Sequence, residues 1–178
     1  MSGNTVFIII AVVIGGAILA AIAYYIARFL RGSIKLLLPV TAYNPGESIV
    51  GSFDLLSKKA IQGNKLIVSL IGMRVTTTRK DGETDTDSDE IYRDEVLVEG
   101  AREYPAGFAA TYNFEILIPN SQSPEFLNST AGKALSTAFS LLSNNSTELK
   151  WSVEARLDAK GVDLAKKQPV TVNINQFV

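Results

Sequence analysis

The sequence predicts a mainly β protein, in which one N-terminal transmembrane α-helix precedes an antiparallel β-sandwich with one short inserted helix. Residues 6–27 are apolar and carry no charge, residues from 33 onward alternate with period two, and turn signals divide the alternating region into seven strand-like runs. A chain of 178 residues has room for one folded domain beside a membrane helix. We therefore expect a helix with a short external tail at residues 1–32 and a sandwich at residues 33–178.

The N-terminal apolar stretch is long enough to cross a membrane. A helix of about 22 residues spans roughly 33 Å, and the hydrocarbon core of a bilayer is about 30 Å thick. A buried helix of a soluble protein is shorter and has a polar face, and a cleaved signal peptide has a basic leading segment and a shorter apolar core. We expect a retained, single-pass membrane helix.

Basic residues lie on one side of this helix only. Arg28, Arg31 and Lys35 follow it, and no basic side chain precedes it. The positive-inside rule then places the N-terminus outside and the C-terminal domain in the cytoplasm, with Tyr24 and Tyr25 in the interfacial layer. These five residues are our predicted membrane-boundary residues.

Small residues recur along one face of the helix. Gly16, Ala20, Ala23 and Ala27 follow one another at spacings of four, three and four. Small side chains allow a second membrane helix to approach closely, although alanine and glycine are also common in such helices generally. The stripe predicts a helix-packing face, with composition alone as the alternative.

The first two alternating runs are separated by Asn44, Pro45 and Gly46, a turn signal, and Pro39 favours an edge or a bulge in the first run. The third run is expected to bend near Gly72, and Trp151 in the sixth is expected in the core. The seven runs occupy residues 33–43, 48–57, 64–80, 89–100, 108–119, 148–161 and 169–177.

A helical pattern interrupts the strands at residues 129–143, within a predicted insertion at residues 128–146. Its apolar positions share one side, namely Ala131, Leu135, Ala138, Phe139 and Leu142. This pattern fits a helix that packs over the sandwich edge, or an amphipathic helix that binds a partner or a membrane surface.

Four stretches resemble, in order, the N-terminal half of arrestin-fold proteins: YNPGESIVGSFDL, NKLIVSLIGMRVTTTR, AGFAATYNFEILIPNSQSPEF and STELKWSVEARLDAKGVDL. That group includes the arrestin-like sporulation-control proteins of bacteria and the arrestin-like subunit of retromer. The resemblance covers about residues 34–174. It implies an immunoglobulin-like or arrestin-like sandwich, with Gly46 in the first hairpin turn and Gly51 at a bulge or a close strand approach.

The chain departs from the arrestin pattern in several respects. Only one sandwich fits its length, whereas arrestins have two, and their receptor-core and phosphate-sensing elements have no recognisable counterpart here. The membrane helix and residues 128–146 also lie outside the pattern. The resemblance therefore implies a scaffold that binds other proteins through strands and loops, without implying receptor desensitisation.

Composition excludes several classes of chemistry. The chain has no cysteine and no histidine, which removes disulfides, thiolate metal sites and nucleophiles activated by histidine. A net charge of −1 gives no indication of nucleic-acid binding. We expect no enzymatic activity, no cofactor, no metal site and no small-molecule substrate.

Residues 81–90 concentrate acidic side chains at alternate positions. The pattern has some likeness to a calcium-binding loop, but Glu90 stands where such a loop requires glycine and Val96 where it requires glutamate. A solvated hairpin tip is the favoured interpretation, and a weak cation site is the alternative.

The leading functional hypothesis is an accessory or scaffold subunit of a larger membrane assembly. Its partners would be the lipid bilayer and other membrane protein subunits, which would contact both the helix and the sandwich. The alternative is a pilin-like filament subunit with a hydrophobic N-terminal helix and a β globular domain. Against that alternative, no acidic residue lies near the start of the helix, and no charged leader with a cleavage site precedes it.

Overall fold

A computed structural model of the chain describes residues 3–80, 82–120, 132–133, 137 and 147–173. Within these residues, one helix is followed by nine strands. The elements are α1 (Gly3–Arg31), β1 (Gly32–Leu37), β2 (Ala42–Tyr43), β3 (Ser48–Ser57), β4 (Ile61–Lys80), β5 (Glu83–Glu99), β6 (Arg102–Tyr104), β7 (Ala109–Leu117), β8 (Thr147–Ala159) and β9 (Leu164–Val172).

The strands form two sheets that pack face to face. The smaller sheet has the order β1-β3-β7, and the larger has the order β2-β9-β8-β4-β5, with β6 paired to β4. The parallel pairing is that of β2 with β9, whereas the other pairings of these strands are antiparallel. The sandwich core is contributed by both sheets, with Ile49 and Phe53 from β3 facing Leu66, Leu70 and Leu157 from β4 and β8. The predicted β-sandwich after an N-terminal helix is therefore confirmed at this level.

The buried positions follow the alternation of the strands, and the predicted core position of Trp151 is confirmed. Phe114, Ile116 and Ile118 share one buried face at the end of β7, and Trp151 is 3% exposed in β8. Gly51 lies where a Cβ atom would be 2.7 Å from the Phe114 ring, which is the close strand approach expected there. These positions follow from period-two alternation, since one face of each strand is buried.

The first predicted strand, at residues 33–43, was wrong as a single element. It is two strands in different sheets, because β1 pairs with β3 and β2 pairs with β9. Pro39 lies between them and has no amide N–H to donate to a ladder, so the chain leaves one sheet there and joins the other. The turn that follows has Gly46 at φ 83°, as its sequence predicted.

The acidic segment is strand rather than loop over most of its length. Pairing of β4 with β5 continues out to Lys80 and Glu83, and Gly82 in the turn has φ 85°. Because β8 begins opposite Thr76, the outer part of this hairpin is, among the residues that the structure describes, a two-stranded ribbon beyond the sandwich. A register shift at Gly72 and Met73 coincides with the predicted bend.

The sequence did not predict one short strand, and it placed the start of another strand too late. Strand β6 was not predicted, and β9 begins at Leu164, five residues earlier than expected. The predicted inserted helix lies mostly outside the described residues. Of that segment, residues 132, 133 and 137 are helical, and the Thr137 hydroxyl donates a hydrogen bond to the Lys133 carbonyl at 2.9 Å.

Candidate functional site: the helix–sandwich junction

Helix α1 passes into β1 without a linker, since α1 ends at Arg31 and β1 begins at Gly32. A Cβ atom at Gly32 would overlap the backbone carbonyl oxygen of Leu56 on the neighbouring strand. Glycine is required here because the backbone of β3 approaches so closely. The helix therefore leaves the sandwich at the first residue of its first strand.

The β3–β4 turn caps the C-terminal end of the helix. The amides of Lys58 and Lys59 donate to the Arg31 carbonyl at 2.8 and 3.3 Å. The Lys58 ammonium group donates to the Phe29 carbonyl at 3.1 Å and lies 3.6 Å from the centre of the Phe29 ring. A cation at this end of a helix interacts favourably with its dipole and satisfies carbonyls that have no partner within the helix.

The β8–β9 turn contacts the same helix end from another direction. The Arg31 guanidinium donates to the Lys160 carbonyl at 2.9 Å. Gly161 has φ 98°, and a Cβ atom there would lie 2.7 Å from Arg31 Nη1. Together with the β3–β4 turn, this contact fixes the last helical turn against two separate loops of the sandwich.

Most of the predicted site residues lie on exposed surfaces around this junction. Gly16, Ala20 and Ala23 are exposed along the helix, and a Cβ atom at Gly16 would meet no atom within 4 Å. The side chains of Ala27 and Arg28 lie outside the described part of the structure.

The predicted boundary residues lie close to the sandwich. Tyr24 and Tyr25 are exposed with their rings 5.9 Å apart, edge to face, and Lys35 is exposed on β1. The sequence reading missed Lys58, Lys59 and Lys160, because these residues reach the helix end only through the fold.

A cleft of about 410 Å³ lies between the helix and the outer face of strands β8 and β9. Tyr24 lines it on the helix side, and Lys166 and Lys167 line it on the sheet side. Two carboxylates in the cleft are already engaged by Arg156, which is 2.8 Å from Glu154 and 3.4 Å from Asp163. Lys166 and Lys167 take part in no ion pair among the described residues.

The pKa values agree with this pairing. The hydrogen bonds that Arg156 donates to Glu154 raise the pKa of Arg156, burial opposes that rise, and the charges of Glu154 and Asp163 add to it. Within the described part of the chain, no group of three or more side chains is arranged to hold a metal ion.

The helix has the length and composition of a membrane segment. Its 20 residues Val12–Arg31 have a mean hydropathy of 1.9, and none of those whose burial the structure describes is buried inside the molecule. These properties fit a membrane span and equally a signal sequence. The finding is therefore an exposed, apolar N-terminal helix.

The two sheets and their order define an arrestin-like β fold. The solved structure of the sporulation control protein Spo0M from Bacillus subtilis is similar to this chain, with a TM-score of 0.53 and 17% sequence identity. The match covers 80% of this chain and 49% of that protein, so the chain spans about half the length of Spo0M. No family model and no curated protein sequence matches the chain. The likeness is one of fold.

Proposed function

We propose that the chain is a non-enzymatic, single-pass membrane protein whose arrestin-like sandwich serves as an accessory or scaffold subunit of a larger membrane assembly. The N-terminus lies outside and the sandwich lies in the cytoplasm. Partners are other membrane subunits, which contact the helix in the bilayer and the sandwich next to it. The protein acts by binding and needs no cofactor, nucleic acid or small-molecule substrate.

The observation that carries this proposal is the direct joint between the exposed helix and the sandwich. An apolar helix of which no described residue between Val12 and Arg31 is buried requires lipid or another helix around it. Capping of that helix by Lys58 and the contact of Arg31 with the β8–β9 turn favour a retained helix over a removable one. A helix held in this way gives the sandwich a defined orientation at the membrane.

The charge around the joint supports the proposed orientation. Besides Arg31 and Lys35, the fold brings Lys58, Lys59 and Lys160 to the end of the sandwich where the helix leaves. Basic residues next to a membrane helix are retained on the cytoplasmic side. Three residues distant in sequence thus add to the charge bias that was read from the sequence alone.

The test measures the intact mass of the mature chain and its extraction from membranes. We expect the mass of the chain with residues 1–31 present, and retention in the membrane pellet after alkaline carbonate. A mass that lacks the N-terminal helix would show a signal sequence, and a mass that lacks a short leader would favour the pilin-like alternative. Purification in mild detergent should then recover a membrane protein partner in fixed stoichiometry.

A further inference from the structure

We propose that the cleft between Tyr24 and strands β8 and β9 binds the phosphate headgroups of anionic lipids in the cytoplasmic leaflet. The inference rests on the proposed membrane function and adds a ligand to it. It assigns this end of the sandwich a direct contact with lipid, in addition to the helix that anchors it.

The depth of the cleft follows from the residue on its helix side. Tyr24 lies two turns before the end of α1, where an amphipathic ring occupies the headgroup layer of a bilayer. Lys166 and Lys167 line the same cleft, so this part of β9 lies beside Tyr24 and, in the proposed orientation, near the depth of the lipid phosphates. Because β1 begins at Gly32 directly after the helix ends at Arg31, no linker allows the sandwich to rotate away from the membrane surface.

The charge of the cleft suits a phosphate. Arg156 pairs with Glu154 and with Asp163, and neither lysine makes an ion pair among the described residues, although the charge of Lys167 helps to lower the pKa of Glu90. A phosphate in the cleft would gain a charge-assisted hydrogen bond of the kind that lysine commonly makes to phosphate. The cleft volume of about 410 Å³ is large enough for a lipid headgroup.

The surroundings of the cleft favour a lipid over a free anion. Lys58, Lys59 and Lys160 belong to the turns that contact the end of the helix, so they add positive charge to this end of the sandwich. Basic side chains near an anionic leaflet each strengthen binding by about a factor of five, and the effect falls off within a Debye length. A lipid phosphate is held at this depth by its acyl chains.

The test uses the full chain in vesicles. The chain has no cysteine, so Val162→Cys in the β8–β9 turn gives a single site for a fluorescent label. Phosphatidylserine or phosphatidylcholine carrying a nitroxide near the headgroup is then added in small amounts, and the ratio of quenching reports lipid preference. We compare Lys166→Gln/Lys167→Gln with Arg79→Gln/Lys150→Gln, which removes the same charge elsewhere.

We expect phosphatidylserine to quench several-fold more strongly than phosphatidylcholine at low salt, and this preference to shrink as salt rises. Lys166→Gln/Lys167→Gln should remove most of the preference, Lys166→Arg/Lys167→Arg should keep it, and the control pair should change it less than twofold. Circular dichroism of each variant checks that the sandwich remains folded.

The contrary outcomes are distinct. Release of the wild-type chain by alkaline carbonate would overturn both the membrane function and the lipid cleft. Retention in the membrane with equal quenching by the two lipids, or equal behaviour of the two glutamine pairs, would overturn the cleft alone. Loss of the preference in inorganic phosphate, with chloride of equal ionic strength having no effect, would show a free-anion site and overturn the lipid assignment.

Discussion

At the scale of single residues, the joint between helix and sandwich depends on Gly32 and Lys58. Gly32 admits the backbone of β3, and Lys58 closes the helix end with its amide and its ammonium group. Neither role has a local signal in the sequence. In the sequence, Gly32 before an alternating run indicates only the boundary between two elements. Lys58 lies 27 positions beyond Arg31, and it contacts the helix only because β1 and β3 pair antiparallel.

Replacing Gly32 with alanine should destabilise the sandwich. The added methyl group overlaps the Leu56 carbonyl oxygen, which belongs to backbone and cannot rotate away. Overpacking of this kind costs about 1–3 kcal/mol, or roughly 3–10 °C in melting temperature for a domain of this size. The fluorescence of Trp151, the one tryptophan, follows the melting in detergent.

Gly100→Ala is the matched control for Gly32→Ala. A Cβ atom at Gly100 would meet nothing within 4 Å, so its melting temperature should stay within about 2 °C of the wild type. Equal melting of the two variants would contradict the close approach at Gly32.

Glu99 should stabilise the fold in a pH-dependent way. It accepts hydrogen bonds from the Tyr104 and Tyr112 hydroxyls, each at 2.8 Å, and pairs with Arg102 at 2.8 Å. Burial acts to raise the pKa of Glu99, but the two tyrosines and Arg102 outweigh it and hold the pKa below its usual 4.5. Burial and the Glu99 hydrogen bond together raise the pKa of Tyr112 to about 12.

Because the folded-state pKa of Glu99 is lowered, its stabilisation is present above pH 4.5 and is lost as the pH falls through the folded value. Glu99→Gln should therefore lower the free energy of unfolding by about 1–2 kcal/mol at pH 7 and by much less at pH 3. Melting of both proteins at the two pH values measures this. A difference that is independent of pH would mean that the carboxylate charge contributes nothing.

At the scale of elements, alternation located the strands well and their ends poorly. The runs at residues 48–57 and 108–119 correspond closely to β3 and β7, because each buries one face against the other sheet. The acidic run was read as a loop because its side chains are all polar, yet it pairs along β4 out to Glu83. Cross-strand ion pairs, such as that between Arg74 and Asp89 at 2.5 Å, stabilise this segment as a strand. Such pairs cannot be recognised from the sequence of one segment alone.

Calcium should have little effect on the acidic ribbon. Asp85, Asp87 and Asp89 lie on one strand, about 6.8 Å apart from one to the next, so their carboxylates form a row instead of converging on one ion. Millimolar calcium should leave the melting temperature unchanged. A rise of several degrees that Asp85→Asn with Asp87→Asn abolishes would establish a cation site.

The small-residue face of α1 should mediate helix association in the bilayer. Gly16 and Ala20 lie one turn apart, and a Cβ atom added at Gly16 would meet no atom of the described residues within 4 Å. Gly16→Leu/Ala20→Leu keeps the segment apolar and long enough to insert, but it holds a neighbouring helix away. We expect partner co-purification to be lost while the chain remains in the membrane.

The control for the helix face is Val12→Leu/Leu19→Ile, which changes shape and adds little bulk. Both positions are exposed, so neither pair disturbs the sandwich. If both variants retain the partner equally, the helix serves as an anchor and the sandwich supplies the binding.

At the scale of the whole molecule, charge is distributed unevenly from one end to the other. Basic residues surround the helix exit, and the acidic ribbon forms the far end of β4, a strand of 20 residues, or roughly 66 Å. In the proposed orientation, the basic end faces the anionic leaflet and the acidic ribbon reaches away from it. The net charge of −1 conceals this asymmetry, because it depends on which turns the fold brings together.

Removing residues 1–31 should yield a soluble, β-rich domain, since lipid accommodates the helix and the two sheets accommodate the core independently. The core consists of residues from β1 onward, so the deletion removes no side chain from it. It does remove the carbonyl acceptor of Lys58 and Lys59 and the guanidinium that contacts Lys160.

A chain that begins at Arg31 is therefore the control, and it should melt a few degrees higher than one that begins at Gly32. Both should show a strand-type circular dichroism spectrum and cooperative melting. An unfolded or aggregated product in both would mean that the helix is part of the folding unit, and equal melting would mean that the Arg31 contacts add no stability.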